Sequence, residues 1–381
     1  MKRKLLIGAV LGVFLLAGIG YGAWWMLAGR WHESTDDAYV GGNLVQVTPQ
    51  VPGVVIALHA DDTDYVKAGQ PLVELDRADA EVALSQAEAL LAKTVRSVRN
   101  LNASTTEAEA NVRLRRADLA RAQQDVVRRK EVEGTGAVSG EEIQHALDTQ
   151  AAARASLQAA ERQLQAQRAI VEHTTVRDHP DVLNAAAKVR EAWLSYSRTT
   201  LPAPVSGFVA RRSAQVGQRV APGTPLMTVI PLDAVWVDAN FKENQLADMR
   251  SGQPAELVAD AYGGRVTYHG RIAGFSAGTG AAFALLPAQN ASGNWIKVVQ
   301  RVPVRIVLDG KDLAEHPLQV GLSMHVDIDT HERSGPRLQK AERASAAYET
   351  RAFAPTDGGA DMRIERIITA NSGEVASATG K

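Results

Sequence analysis

The chain carries one short segment twice, and the distance between the two copies limits what it can fold into. Residues 47–76 align without a gap on residues 201–230, at a constant offset of 154, and eight aligned positions are identical. Each copy alternates apolar and polar residues around a Gly-x-Pro turn, a pattern typical of a short β-hairpin. The glycines predicted to form the structural turns of the two halves are Gly53, Gly69, Gly207 and Gly223.

A hairpin of this size has one apolar face that it cannot cover alone. Two such halves can cover each other, so we expect residues 47–76 and residues 201–231 to close into one small barrel or sandwich. The chain between them must then leave this unit and return to it.

The insertion, residues 77–200, has the pattern of a long antiparallel helical hairpin. It is rich in Ala, Gln, Glu and Arg, and a heptad repeat with six apolar residues out of seven runs through its first half, which is typical of a coiled-coil seam. The positions of this seam are Leu84, Leu91, Val98, Thr105, Val112, Leu119 and Val126. A second seam follows at Ile143, Leu157, Leu164 and Val171.

Helix-breaking residues, "EGTGAVSGEE", interrupt the insertion almost at its middle, which predicts the hairpin tip near residues 133–141. Ser139 and Glu142 have the spacing of a capping box that opens the second arm. Pro180 predicts a break or kink in that returning arm. A straight arm over residues 79–132 would be about 80 Å long, so the tip is the point farthest from the repeated unit.

The N-terminus has the pattern of a membrane anchor. Residues 5–27 carry no charge and follow Lys2, Arg3 and Lys4. A helix of that length spans about 35 Å, enough for a bilayer core, and the basic start favours a cytoplasmic N-terminus. We therefore predict that residues 1–30 are a cytoplasmic stub and a single transmembrane anchor. The alternative is a cleaved signal peptide, but its apolar region is shorter, about 7–15 residues, and "GYGAWW" is a poor cleavage site.

The remaining segments read mostly as strands. We predict a membrane-proximal lead-in strand over residues 31–46 and a small antiparallel β-barrel over residues 232–331. Residues 276–295 form a long, apolar, Gly-rich loop, a kind that is usually functional or mobile. In the C-terminal tail, residues 332–381, "MRIERIITA" predicts a short amphipathic helix.

Anchor, repeat, hairpin and barrel together resemble the HlyD-type periplasmic adaptor, or membrane fusion protein, family. "TDDAYVGG", "RVAPGTPLMTVIPLDAVWVDANFKENQL" and "GTGAAFALLPAQNASGNWIKVVQRVPVRI" are similar to the EmrA-type adaptors in particular. The fold is then mixed α and β and elongated: an N-terminal transmembrane helix, a split lipoyl-like (barrel-sandwich) domain, a long α-helical coiled-coil hairpin and a small antiparallel β-barrel. The resemblance covers nearly the whole chain.

The resemblance implies an adaptor of a tripartite multidrug efflux pump. It would couple an inner-membrane major-facilitator drug/proton antiporter to a TolC-like outer-membrane channel, as a homo-oligomer (trimer or hexamer), and would lie in the periplasm of a Gram-negative bacterium. An adaptor of a protein or peptide secretion system, a lipoyl-type carrier enzyme subunit and a membrane-tethered structural coiled coil are the alternatives.

The family also implies a docking motif for the outer channel at the hairpin tip, Arg-x3-Leu-x6-Ser. Arg128, Val132 and Ser139 fall at these spacings, with valine in place of leucine. The competing interpretation is that Arg128 is a solvated coiled-coil residue and Ser139 a helix cap.

Enzymatic chemistry is not expected, and we predict no catalytic residue, cofactor or metal. Arg77 stands where a lipoyl domain has its modified lysine, and arginine is not an acylation nucleophile. "GFSAG" around Ser276 matches a nucleophile elbow but lies in an antiparallel pattern. "DDTD", residues 61–64, lacks the glutamate of a calcium loop and reads as a solvated turn. The 42 basic and 43 acidic residues nearly balance, so the sequence has no excess of positive charge that would attract nucleic acid. The absence of cysteine excludes thiol chemistry.

Overall fold

The computed structural model describes residues 11–12, 14–22, 26, 29–133, 137–172, 174–283, 299–338, 346–353 and 358–373. The chain divides into two compact units. One contains Met1–Glu74 and Leu201–Phe353, and the other contains Leu75–Thr200 and Ala354–Lys381.

The elements of the described part are as follows. The strands are β1 His32–Gly41, β2 Val45–Val47, β3 Gly53–Leu58, β4 Tyr65–Val66, β5 Pro71–Leu75, β6 Thr200–Pro202, β7 Gly207–Arg212, β8 Arg219–Val220, β9 Met227–Ile230, β10 Trp236–Lys242, β11 Pro254–Ala259, β12 Thr267–Phe275, β13 Arg301–Leu308 and β14 Ser323–Asp329. The helices are α1 Ala78–Glu131, α2 Gly140–Val171, α3 Pro180–Ser197, α4 Gly310–Glu315 and α5 Gly359–Ser372. Short 3₁₀ turns lie at Gly29–Trp31, Leu232–Ala234, Gln245–Ala247, Asp260–Tyr262 and Gly280–Phe283.

The small antiparallel β-barrel predicted from the sequence is confirmed. Six strands close in the order β1-β10-β13-β12-β11-β14, and each neighbouring pair is antiparallel. Alternate residues of these strands point inward and form one core, in which Phe241 and Tyr268 are the largest fully buried side chains. Closure leaves no open sheet edge to pair with another chain.

The barrel also contains a strand from the segment that the sequence pattern predicts to be a separate lead-in. β1 pairs with β10 on one side and with β14 on the other, so it supplies the sixth strand. Its inward residues Thr35, Ala38 and Val40 are buried, whereas the acidic Asp36 is exposed. This polar sequence has only a weak apolar alternation, because short inward side chains are enough to fill its part of the core.

The two copies of the repeated segment exchange strands. One four-stranded sheet has the order β2-β9-β7-β4 and the other has the order β6-β5-β3-β8, so each sheet combines strands of both copies, with β2 beginning two residues before the first copy. β3 and β7, and β4 and β8, are separated by the same 154 residues as the sequence repeat. The apolar faces of the copies therefore meet across both sheets, with Leu72 and Leu226 fully buried.

The long helical hairpin is confirmed. α1 has 54 residues and packs along α2 and α3. Five of the seven predicted seam positions of α1 are buried, namely Leu84, Leu91, Val98, Val112 and Val126. The returning arm is broken between Val171 and Pro180, and His179 caps α3 by accepting a hydrogen bond from the backbone N–H of Asp181.

Much of the anchor predicted over residues 1–30 lies outside the described residues. Residues 11–12 and 14–22 are helical. In the part of the chain that the structure describes, no helix is both long and apolar enough to cross a membrane.

Candidate docking site at the hairpin tip

The tip lies between the end of α1 at Glu131 and the start of α2 at Gly140. Val132 is the C-terminal cap of α1, and its backbone N–H donates to the carbonyl oxygen of Lys130. Ser139 is the N-terminal cap of α2. Residues 134–136, the centre of the predicted tip, lie outside the described residues.

Arg128 lies in the last turn of α1 and is largely exposed, with 72% of its side chain open to solvent. One guanidinium nitrogen lies 3.4 Å from a carboxylate oxygen of Asp125, and Arg129 holds the same carboxylate at 2.9 Å. Because an exposed i,i+3 pair is weak, Arg128 can exchange Asp125 for another acceptor at little cost. Its planar fork of donors suits a carboxylate or two carbonyl groups.

Ser139 forms the predicted capping box. Its Oγ accepts a hydrogen bond from the backbone N–H of Glu142 at 3.2 Å, and its own backbone N–H donates to the Glu142 carboxylate at 2.8 Å. The latter bond is the main reason why the pKa of Glu142 lies below its usual range. The competing interpretation of Ser139 as a helix cap is therefore correct for the free chain, although the hydroxyl can still donate its proton to a partner.

The three motif residues thus flank one turn, in the order cation, apolar side chain and hydroxyl. Val132 is 37% exposed and gives the site a small apolar surface. Such a set can contact the end of a facing helical hairpin through one forked, charge-assisted contact and one apolar contact. A docking role for Arg128, Val132 and Ser139 stays a prediction.

The four repeated positions are occupied by glycine for different local reasons. Gly69 and Gly223 have φ of +84° and +82°, a backbone conformation that side chains with a Cβ rarely adopt. Gly53 and Gly207 instead begin β3 and β7. A Cβ on Gly207 would lie 2.4 Å from the Ile230 carbonyl oxygen, so this glycine permits a close approach of two backbones.

The residues considered above for carrier, nucleophilic or metal chemistry lie in structural surroundings. Arg77 precedes α1, with its guanidinium carbon 6.0 Å from the ring centre of Tyr196. Ser276 follows the antiparallel strand β12 rather than a parallel strand that leads into a helix. Among the described residues, no group of three or more His, Cys, Asp or Glu side chains is placed to hold a metal ion.

The acidic turn "DDTD" has a partner that sequence reasoning missed. Arg212, in the second copy, holds Asp61 at 2.7 Å through Nε, and its backbone N–H donates to Asp62 at 2.7 Å. The hydrogen bond from Arg212 holds the pKa of Asp61 below its usual range. The only sequence signal for this contact was an acidic turn after β3 in the first copy and an arginine at the end of β7, the equivalent strand of the second copy.

A long helical hairpin inserted into a strand-exchanged two-sheet unit, next to a closed barrel in sequence, is the architecture of a binding scaffold of the adaptor class. Residues 78–199 match the family model described as "EMRA, alpha-helical hairpin domain". The fatty acid resistance protein FarA of Neisseria gonorrhoeae is 48% identical over 362 residues, which cover 95% of this chain and 92% of FarA. The multidrug export protein EmrA of Escherichia coli (strain K12) is 43% identical over 372 residues, which cover 98% of this chain and 95% of EmrA.

A solved structure of the periplasmic adaptor protein EmrA aligns with 79% of this chain and 99% of that chain, with 20% identity and a TM-score of 0.39. The two sequence relationships extend over nearly all of each chain. The chain therefore belongs to the EmrA-type family of periplasmic adaptors, and the family expected from the sequence is confirmed.

Proposed function

We propose that the chain is the periplasmic adaptor of a tripartite efflux pump that exports toxic compounds. It couples an inner-membrane major-facilitator drug/proton antiporter to a TolC-like outer-membrane channel. The observation that carries this proposal is the 48% and 43% identity to a fatty acid resistance protein and a multidrug export protein over nearly the entire chain. In this proposal the proton-driven antiporter supplies the energy for export.

Residues 1–30 are the single-pass anchor in the inner membrane, and the rest of the chain lies in the periplasm. The uncharged run of residues 5–27 behind three basic residues supports this topology. The strand-exchanged sheets form the split lipoyl-like domain, which acts as a scaffold for a trimeric or hexameric ring rather than as a carrier of a prosthetic group.

The hairpin tip is the contact with the outer-membrane channel. The exposure of Arg128 and its weak pairing with Asp125 support this role, because both leave the guanidinium free to change partner. Val132 adds an apolar contact, and the Ser139 hydroxyl adds a donor beside it.

The test is export in a strain that lacks its own adaptor, carrying this chain together with its antiporter. Expression of the pair should raise the minimum inhibitory concentration of hydrophobic drugs or long-chain fatty acids. If susceptibility to both classes of compound is unchanged and secretion of a polypeptide is restored, the chain belongs instead to a secretion system.

The docking role is tested separately by Arg128→Asp. We expect this variant to abolish export with its protein level and helix content unchanged, because the position is exposed in the free chain. Arg121→Asp is the matched control, since Arg121 lies one heptad farther from the tip, is 80% exposed and also pairs with an aspartate three residues earlier. Normal resistance with Arg128→Asp would exclude the docking role but not the efflux function.

A further inference from the structure

The C-terminal helix α5 packs on the hairpin near the break in the returning arm. Ile364 and Ile368 are each 5% exposed and share one apolar cluster with α1 and α3. The members of the cluster from α1 and α3 are Leu84, Leu91, Val95, Val98, Val182, Ala185, Ala186 and Val189. This part of the hairpin is therefore a three-helix bundle.

Polar contacts fix the register of α5 along α1. Arg363 lies 2.8 Å from Glu88, Arg96 donates to Asn371 at 2.7 Å, and a Cβ on Gly373 would lie 2.6 Å from the guanidinium carbon of Arg99. Residue numbers rise in both helices from one contact to the next, so α1 and α5 run in the same direction.

A second set of contacts joins α5 to the returning arm. Arg190 lies 2.8 Å from Asp361, and Arg177 donates to Glu365 at 2.6 Å and to Thr369 at 3.3 Å. Arg177 belongs to the segment between α2 and α3, where the arm is broken. The helix thus contacts α1, α3 and the break itself.

The energetic roles of these contacts differ. The ion pairs are partly exposed, and such pairs add little stability each but set geometry. The buried isoleucines supply the larger part of the attraction, because burial of apolar side chains is the dominant favourable contribution. α5 has 14 residues, a length at which an isolated helix is marginal in water, so its helical state depends on this packing.

We propose that α5 is a splint across the break in the returning arm. It holds the segment before α3 against α1, so that α2 and α3 act as one rigid arm although the helical hydrogen-bond ladder is interrupted between Val171 and Pro180. Without the splint, the break is a joint at which α2 bends relative to α3. This inference goes beyond the adaptor function and does not depend on it.

The test is a spin-label distance across the break. Because the chain has no cysteine, Gln158→Cys on α2 and Glu191→Cys on α3 can be labelled without background in the full chain. The labels are expected roughly 40–50 Å apart if both helices follow α1. A narrow distribution is expected for the parent and a broad one for Ile368→Asp. Ala370→Asp introduces the same side chain at an exposed position two residues on and is expected to stay narrow.

Charge variants decide the outcome if Ile368→Asp loses helix content beyond α5 in circular dichroism. Arg177→Glu and Glu365→Arg alone are expected to broaden the distribution, and the double variant, which restores an opposite-charge pair, is expected to narrow it again. A distance distribution that stays narrow in a folded Ile368→Asp variant would overturn the splint. If Ile368→Asp does not fold, a distribution that stays narrow in both single charge variants would overturn it.

Discussion

Gly207 lies so close to Ile230 that a Cβ on the glycine would come within 2.4 Å of the isoleucine's carbonyl oxygen. The two residues belong to β7 and β9, which pair within one of the strand-exchanged sheets. The obstacle is backbone rather than the end of a flexible side chain, so a larger residue must displace a strand.

We expect Gly207→Ala to destabilise the unit that contains both sheets by about 1–3 kcal/mol, the usual range for overpacking. Gly274→Ala is the matched control, because a Cβ on Gly274 meets no atom within 4 Å and its φ is not positive. Equilibrium denaturation in urea measures both. Equal stability of the two variants would show that the close approach at Gly207 relaxes without cost.

Arg212 joins the two copies of the repeat, and its removal should loosen them. We expect Arg212→Gln to lower the unfolding temperature, whereas Arg211→Gln, at the exposed neighbouring position of β7, should leave it unchanged. The pKa of Asp61 is lowered, so its contribution to stability is present above its unfolded pKa and is lost as pH falls through the folded pKa. The difference between parent and Arg212→Gln should therefore disappear in acid. A difference that persists at the lowest pH would mean that Arg212 acts through packing alone.

We expect His32 to make the stability of the barrel weakly dependent on pH. Its ring lies 2.6 Å from Asp327, and this hydrogen bond is the main cause that raises its pKa, with Asp329 and Glu256 adding smaller attractions. A raised pKa stabilises the fold fully below the unfolded value of about 6.5 and loses that contribution as pH rises through the folded pKa. Thermal unfolding should occur at a higher temperature at pH 6 than at pH 8.5, and His32→Gln should reduce this difference. His325→Gln, at an exposed histidine of β14, serves as the control, and an equal reduction there would contradict the assignment.

The two interpretations of Ser139 can be separated by substitution. Ser139→Ala removes the cap and should destabilise the start of α2 by about 0.5–2 kcal/mol, visible as faster amide exchange in its first turn. Ser139→Asp keeps a good N-cap acceptor but removes the hydroxyl donor. Export that survives with aspartate and fails with alanine would assign the residue to capping, whereas failure with both would support docking through the hydroxyl.

Most of the hairpin could be predicted from the sequence because its determinants are local and periodic. Leu84, Leu91 and Val98 recur every seven residues, and a strict spacing of this kind has few alternatives to a buried helical seam. The start of α3 at Pro180 and the capping box at Ser139 are equally local, since each depends on residues within one helical turn, whereas the end of α2 at Val171 lies nine residues before Pro180 and was not predicted.

Contacts between distant segments could not be predicted in the same way. "MRIERIITA" indicates a helix, but nothing in its periodicity shows that Ile364 packs on an arm more than 250 residues earlier in the sequence. The place of β1 in the barrel depends likewise on β10 and β14 offering free edges. For the tip, the sequence locates Arg128 and Ser139, but what they bind depends on the surface of another protein.

The exchange of strands between the two copies has a consequence for synthesis of the chain. β3, β4 and β5 leave the ribosome before residues 77–200 have been made, and at 5–20 residues per second their partners β8, β7 and β6 follow only after roughly 6–30 seconds. During that interval the first copy exposes unpaired strand edges, while the helices of the hairpin can form from local contacts alone. A neighbouring nascent chain can offer the same missing strands, so the order of translation favours pairing within one chain only if the hairpin closes before a second copy arrives.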